Sequence, residues 1–197
     1  MSIPRAAHES QSFAGATRHY VDRLQDVLAA LDTGEVDSAI GVIADAWTRG
    51  SDIYVLGNGG SAMTALHFAT DWAKSIYIKT GRPFRIRSLV DNMGLMTAYA
   101  NDISYWDVFT EQLKNLVRPD DLVVAISGSG NSENVIRAVD YANGAGAVTL
   151  GLCGFAGGRL KERARHVVWA RVEDMQLCED VHAMFGHIVM QKLCGYY

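Results

Sequence analysis

Cysteine is scarce in this sequence, and its spacing excludes two kinds of structural site. The 197 residues contain three cysteines, Cys153, Cys178 and Cys194. An odd number without any CxxC spacing argues against a disulfide framework and against a zinc site built from thiolates. No stretch rich in proline, glycine and serine divides the chain, which has three prolines in all. We therefore expect one domain over residues 1–197, kept in a reducing compartment.

An excess of positive charge and long apolar runs are also missing. The chain has 18 lysines and arginines against 22 aspartates and glutamates, a net charge of -4, and the basic residues are scattered. This balance argues against nucleic-acid binding as a primary role, because no basic patch can neutralise a phosphate backbone. No apolar run approaches the ~20 residues of a membrane span, and residues 1–10 are polar where a signal peptide would be apolar. We expect a cytoplasmic protein without membrane or nucleic-acid partners.

The sequence does contain a regular alternation of helical and strand patterns. Apolar residues recur at steps of three and four over residues 20–31 and again over 36–47, which predicts two helices before any strand. Short apolar runs then predict buried strands at Ile53–Leu56, Ile86–Val90, Leu122–Ile126, Ala147–Leu152 and Val167–Ala170. The segments between them are long enough for crossover helices, at Ala62–Ile78, Met93–Leu116, Glu133–Asn143 and Arg159–Ala164. A last, long helix is predicted at Met175–Cys194.

Strands that alternate with helices are typical of an α/β fold. We predict a three-layer sandwich with a five-stranded parallel sheet, in which residues 1–50 form a helical extension that packs on the core or at a subunit interface. In such sheets, ligands bind outside the carboxyl ends of the strands. The turns that follow the strands are therefore the first place to look for a site.

Two turns rich in glycine and serine follow predicted strands and open predicted helices. They are Gly57–Ser61 and Ser127–Ser132. A helix N-terminus with free N–H groups and nearby hydroxyls suits an anion such as a phosphate monoester. Taken alone, Gly57–Ser61 is about as well explained as a tight turn with an N-cap serine, but two such turns in one sheet favour a site. The candidate phosphate-binding residues are Asn58, Gly59, Ser61, Ser127, Gly128, Ser129 and Ser132.

Neither turn has the pattern of a nucleotide-binding loop. No Lys-Ser or Lys-Thr pair follows the glycines, as a Walker loop requires, and the GxGxxG spacing of dinucleotide-binding folds is incomplete. Nucleotide binding is therefore disfavoured.

Three segments together resemble a known family. The motifs GNGGSA with HFATDW (residues 57–72), SGSGNSENVIRA (127–138) and EDVHAMFGH (179–187) are similar to those of the sugar isomerase (SIS) family, and within it the phosphoheptose isomerases. The resemblance implies a flavodoxin-like sheet, an aldose–ketose isomerase acting on sedoheptulose 7-phosphate, and a homotetramer with active sites between subunits. It also implies that the serines of both turns hold the substrate phosphate, and that Asp91 contacts sugar hydroxyls.

The same resemblance implies a zinc site and a catalytic pair. The family's metal positions match His67, Asp71, Glu179 and His187, and Asp71 and His187 are the expected proton-transfer residues. This chain departs from the family pattern at three positions: Ala62 replaces a histidine, Asp71 replaces a glutamate and Glu179 replaces a glutamine.

The residues themselves leave several alternatives open. His67 and Asp71 lie four apart, so they share a helix face and could bind one metal ion or form an ordinary helical pair. Glu179 and His182 form a Glu-x-x-His pair, which makes His182 a rival ligand to His187. Glu179 and His187 are separated by ~12 Å of helical rise. Either the last helix is interrupted, or the two residues belong to sites shared between subunits.

Two further alternatives concern Asp91 and the function as a whole. Asp91 follows the second predicted strand, where a residue that only closes a turn is almost as well explained as a sugar contact. A SIS-fold protein that binds a phosphosugar or associates with a replication initiator, without isomerase activity, is the alternative to an enzyme.

Overall fold

The computed structural model describes residues 14–197, and the expectation about residues 1–10 lies outside them. The helices within these residues are α1 Ala16–Ala29, α2 Thr33–Arg49, α3 Gly60–Asp71, α4 Tyr77–Thr80, α5 Met93–Asp102, α6 Val108–Leu116, α7 Glu133–Gly144, α8 Gly158–Arg163 and α9 Met175–Leu193. The strands are β1 Ile53–Gly57, β2 Ile86–Ser88, β3 Leu122–Ser127, β4 Val148–Cys153 and β5 His166–Trp169. No described helix is long and apolar enough to cross a membrane.

The five strands form one parallel sheet in the order β2-β1-β3-β4-β5. This confirms the predicted α/β fold and its flavodoxin-like topology. All five predicted strands are present, although β2 ends at Ser88, two residues before its predicted end at Val90. The strand order reverses between β1 and β3, so a crevice opens at their carboxyl ends. The two glycine-serine turns follow these two strands.

Alternate residues of the strands pack on opposite faces of the sheet, as a sheet covered on both sides requires. On one face, Val55, Val124 and Leu152 pack against α2, α3 and α9. On the other face, Leu56 and Ala125 pack against α6, α7 and α8. Helix α3 therefore leaves β1 on one side of the sheet, while α7 leaves β3 on the other.

Helix α9 crosses α3 at very short range, and one glycine makes this possible. A Cβ on Gly186 would lie within the contact radius of the Phe68 ring. Trp72 stacks on Phe68 with the ring centroids 4.7 Å apart, and its indole nitrogen donates to the backbone oxygen of Gly186 at 2.9 Å. All three residues are buried. This crossing sets which residues of α9 face which residues of α3.

The two predicted N-terminal helices are present. Asp32 caps α2 by accepting hydrogen bonds from the backbone nitrogens of Gly34 and Glu35. Five apolar residues of α2 are buried against the sheet. Helix α1 is more peripheral. Its Tyr20 hydroxyl donates to Asp180 at 2.7 Å and its Arg23 pairs with Asp174 at 2.7 Å, both at the start of α9.

The segment predicted as one crossover, Met93–Leu116, contains two helices instead of one. Helix α5 ends at Asp102, and the side chain of Ser104 accepts a bond from the backbone nitrogen of Trp106 to begin a 3-10 turn. Asp107 then pairs with Arg137 of α7 at 3.0 Å. The break is thus stabilised by a local serine cap and a contact distant in sequence.

Candidate active site

The two glycine-serine turns meet at one pocket in the crevice between β1 and β3. The pocket measures about 280 Å³. All seven candidate phosphate-binding residues line it, together with Ile126, Met175 and Glu179. We call it the serine pocket. The structure therefore brings the predicted residues together, and phosphate as their ligand stays a prediction.

Glycines in both turns are needed for the backbone itself. Gly59 has φ +54° and Gly130 has φ +66°, in the left-handed region that side chains disfavour. A Cβ on Gly130 would also collide with the backbone oxygen of Gly157. Some of the glycines are therefore required by the backbone of the turns themselves, as the interpretation of Gly57–Ser61 as a tight turn expected.

The serine hydroxyls face the pocket rather than capping the helices. Ser132 is the N-cap residue of α7, yet its side chain makes no cap hydrogen bond, and its hydroxyl lies 3.2 Å from that of Ser127. Helix α3 begins at Gly60, its N-cap residue Gly59 has no side chain to cap it, and the buried Ser61 lies in its first turn. The first N–H groups of a helix have no intrahelical partner. Both helices therefore direct N–H donors and hydroxyls toward the place where an anion would bind.

Two side-chain amides join the first turn to the start of α7, and no sequence pattern indicated this contact. Asn58 donates to the side-chain oxygen of Asn134 at 2.8 Å, and Asn134 donates back to that of Asn58 at 3.0 Å. The Tyr105 hydroxyl also donates to the Asn58 oxygen at 2.9 Å. The side chain of Asn58, a candidate phosphate contact, is therefore engaged in holding the turns together.

A second group of polar side chains lies further along α3. Ligand atoms of His67, Asp71 and His187 lie within 4.8 Å of one another. The two Nε2 atoms are 2.9 Å apart, so one ring donates to the other, and Asp71 accepts a bond from the Ser75 hydroxyl at 3.1 Å. A π-helical turn, Trp72–Ile76, follows Asp71 directly, a deviation frequent at functional sites. Two imidazoles and one carboxylate match the three protein ligands of many catalytic zinc sites.

The fourth predicted zinc ligand, Glu179, lies outside this group. Helix α9 runs without interruption from Met175 to Leu193, so the helical rise keeps Glu179 apart from His187. Glu179 lies instead against Gly60 in the serine pocket. An interrupted last helix is thus excluded, while a site shared between subunits stays a prediction.

The rival ligand His182 is part of the core. It is 1% exposed, and its Nε2 donates to the backbone oxygen of Cys153 at 3.2 Å. Its Nδ1 has no partner among the described residues. His182 is therefore excluded as a ligand of the His67–Asp71–His187 group.

The buried His182 predicts a pH dependence of stability. Burial lowers its pKa from 6.5 to about 4. Since the unfolded chain binds this proton more readily, the stabilisation is complete above pH 6.5 and is lost as the pH falls toward 4. Between pH 7 and pH 5, this group should lower the free energy of unfolding by about 2 kcal/mol. Urea denaturation of the wild type and of His182→Gln at both pH values measures this contribution of His182. An equal loss of unfolding free energy in both proteins would contradict the assignment of the pH dependence to His182.

Asp91 does not line the serine pocket. Its backbone nitrogen donates to Ser88 at 3.3 Å and closes a turn after β2, and its exposed side chain borders a separate hollow with Arg87 and Asn92. The turn interpretation of Asp91 therefore agrees with the structure, and its contact with sugar hydroxyls stays a prediction.

Comparison with known proteins identifies the family. Residues 18–154 match the model of the SIS domain. The phosphoheptose isomerase of Chlorobium phaeobacteroides is 33% identical over 182 residues, which cover 90% of this chain and 80% of that protein. A phosphoheptose isomerase structure from Francisella tularensis superposes with a TM-score of 0.86 at 20% identity, covering 95% of this chain and 100% of the other.

A second structure supports the same fold. The phosphoheptose isomerase from Neisseria gonorrhoeae has a TM-score of 0.82 at 24% identity, with 90% of this chain and 96% of that one covered. The family match spans most of the chain, and the turns that line the serine pocket lie inside it. The chain therefore belongs to the SIS domain family, in which the relatives described above are phosphoheptose isomerases.

Proposed function

We propose that this protein is a phosphosugar isomerase that converts sedoheptulose 7-phosphate into glycero-manno-heptose 7-phosphate. One observation carries the proposal: the serine pocket and the His67–Asp71–His187 group both lie along α3. Ser61 and His67 are separated by roughly 9 Å of helical rise. An extended sugar phosphate could thus place its phosphate at one group and its reacting carbons near the other. The names of the relatives support this class of reaction.

The serine pocket would bind and orient the substrate through its phosphate. Ser61, Ser127 and Ser132 supply hydroxyls, and the starts of α3 and α7 supply backbone N–H donors. Holding the distant end of the substrate fixes the position of C1 and C2 relative to the catalytic groups. Such positioning raises the rate because the reactive geometry no longer has to be found by diffusion.

The Asp71 and His187 side chains would then move protons. Asp71 takes the proton from C1 of the ketose, an enediolate forms, and the proton returns to C2, so that the carbonyl moves from C2 to C1. His187 carries a proton between the two oxygens. Its close contact with His67 at 2.9 Å fixes the ring and leaves one Nε2 as donor and the other as acceptor.

His67, Asp71 and His187 would also hold a zinc ion. Zinc bound there would polarise the carbonyl and hydroxyl oxygens of the substrate. Binding the metal and accepting the proton are competing roles for the single carboxylate of Asp71. Measuring isomerase activity with added zinc and with a chelator separates these two roles of Asp71. If Asp71 acts as the base without metal, the enzyme keeps its activity in the chelator.

We further propose a homotetramer in which neighbouring chains complete the site. Large apolar side chains are exposed among residues 14–197, including Met63 at 61%, Ile78 at 73% and Met93 at 76% exposure. Exposed apolar patches of this kind favour association. Light scattering coupled to size exclusion tests this proposal, and a monomeric mass would contradict it.

The test of function combines an assay with a pocket variant. Purified protein is incubated with sedoheptulose 7-phosphate, with and without zinc, and the aldoheptose phosphate is quantified. The double variant Ser127→Ala with Ser132→Ala should raise KM by about 150-fold, since it removes two hydrogen bonds to a charged phosphate, each worth roughly 1.5 kcal/mol or more. Ser38→Ala, an exposed serine on α2, is the matched control.

Two results would contradict the proposal. An absence of turnover under both metal conditions would favour the binding protein without isomerase activity. An unchanged KM in the double variant would remove the serine pocket from substrate binding.

A further inference from the structure

The serine pocket contains a carboxylate. Glu179 lies so close to Gly60 that a Cβ added there would overlap its carboxylate. Glu179 is partly buried, and its carboxylate forms no hydrogen bond or ion pair with the side chains or backbone of residues 14–197. Glu179 therefore presents an unpaired acidic group to whatever occupies the pocket.

Helix α9 holds this carboxylate in place. Met175 and Glu179 are four residues apart and lie on one face of the helix. The Met175 sulfur packs over Gly128 of the second turn, as Glu179 packs over Gly60 of the first. Trp72, which directly follows α3, donates a hydrogen bond to Gly186 of α9 and so fixes the position of α9. Helix α9 therefore covers both turns through one face. A ligand thus meets Glu179 at a defined position.

No cationic side chain of the described residues balances this charge. The pocket lining contains no lysine, arginine or histidine from residues 14–197. An ionised carboxylate only accepts hydrogen bonds, and so do the oxygens of a phosphate dianion. The two groups repel each other and cannot share a hydrogen bond. A hydroxyl on the ligand, by contrast, can donate to Glu179.

We propose that Glu179 is a specificity-determining residue of the serine pocket, which disfavours bare phosphate and favours phosphate esters that carry hydroxyl donors. The proposal rests on the proposed function, because it assumes that the serine pocket binds the phosphate end of a phosphosugar. Removing the charge of Glu179 should strengthen binding of inorganic phosphate and reduce the preference for a polyol phosphate.

Calorimetric titration of the full chain in a chelator tests this directly. The probes are inorganic phosphate and glucitol 6-phosphate, which has no carbonyl and cannot turn over. In Glu179→Gln, inorganic phosphate should bind about tenfold more tightly, the size expected for removing one charge beside a dianion at a partly exposed site. The affinity for glucitol 6-phosphate should change less than threefold, because the repulsion is relieved while the hydroxyl contact is weakened from a charged to a neutral acceptor.

Glu162→Gln is the matched control, because it removes one exposed negative charge on α8 outside the pocket. It should leave both affinities unchanged. The proposal is overturned if Glu179→Gln binds inorganic phosphate no more tightly than the wild type, or if Glu162→Gln has the same effect. It is also overturned if the preference between the two probes is the same in all three proteins.

The outcome is separate from that of the proposed function, since no turnover is measured. A change of preference in a protein without isomerase activity would support the role of Glu179 and reject the enzyme. An unchanged preference in a protein with isomerase activity would reject the role of Glu179 and support the enzyme.

Discussion

Asp71→Asn is expected to lower kcat for the isomerisation about a thousandfold, the size usual for loss of a general base. The amide keeps the shape of the side chain but cannot take the proton from C1. KM should change little, because the serine pocket that holds the phosphate is untouched. Steady-state kinetics at saturating zinc measure both constants, so that weaker metal binding does not mimic the loss of the base.

Two variants serve as controls for this prediction. Asp37→Asn removes an exposed carboxylate from α2 and should leave the kinetics unchanged. Asp71→Glu, which restores the residue expected from the family pattern, should retain most of the activity because the carboxylate is kept. If Asp71→Asn retained wild-type kcat, Asp71 could not be the base.

Gly186→Ala is expected to destabilise the protein by about 3 kcal/mol, at the upper end for overpacking a core. The new methyl group would overlap the Phe68 ring, which is buried and stacked on Trp72. Relief requires α9 to move away from α3, and this also separates His187 from His67. Denaturant unfolding measures the stability, and kcat of the folded variant should fall as well.

The chain offers a matched control at another helical glycine. Nothing lies within 4 Å of a Cβ built on Gly41 in α2. Gly41→Ala should therefore stabilise the protein by about 0.5–1 kcal/mol through helix propensity alone. If both substitutions had the same effect, the close crossing at Gly186 would not determine the packing.

The elements that local pattern dictates could be predicted from the sequence. Runs such as Leu122–Ile126 are buried on both sides, and such strands appear as continuous apolar stretches bounded by turn residues. The break in Met93–Leu116 could not be predicted in this way, because the Asp107–Arg137 pair that supports it joins residues 30 positions apart.

The same distinction applies to the site. The positions of Ser61 and Ser127 followed from turns at the carboxyl ends of neighbouring strands, a consequence of sheet topology. Which residues of α9 face the serine pocket and which face His67 depends on how α9 crosses α3. Gly186 and Phe68, which are far apart in the sequence, determine this crossing. Helical periodicity alone left His182 and His187 equivalent, whereas the structure buries His182 and places His187 within 2.9 Å of His67.

The two hydrogen bonds between the side-chain amides of Asn58 and Asn134 affect the kinetics of ligand binding. Both bonds are made between side chains of the chain itself, so the conformational entropy of aligning the two turns is lost during folding rather than on association. Encounter with the ligand then needs no closing step. We expect capture in a single bimolecular phase whose observed rate rises linearly with ligand concentration, without the plateau that a slow rearrangement would impose.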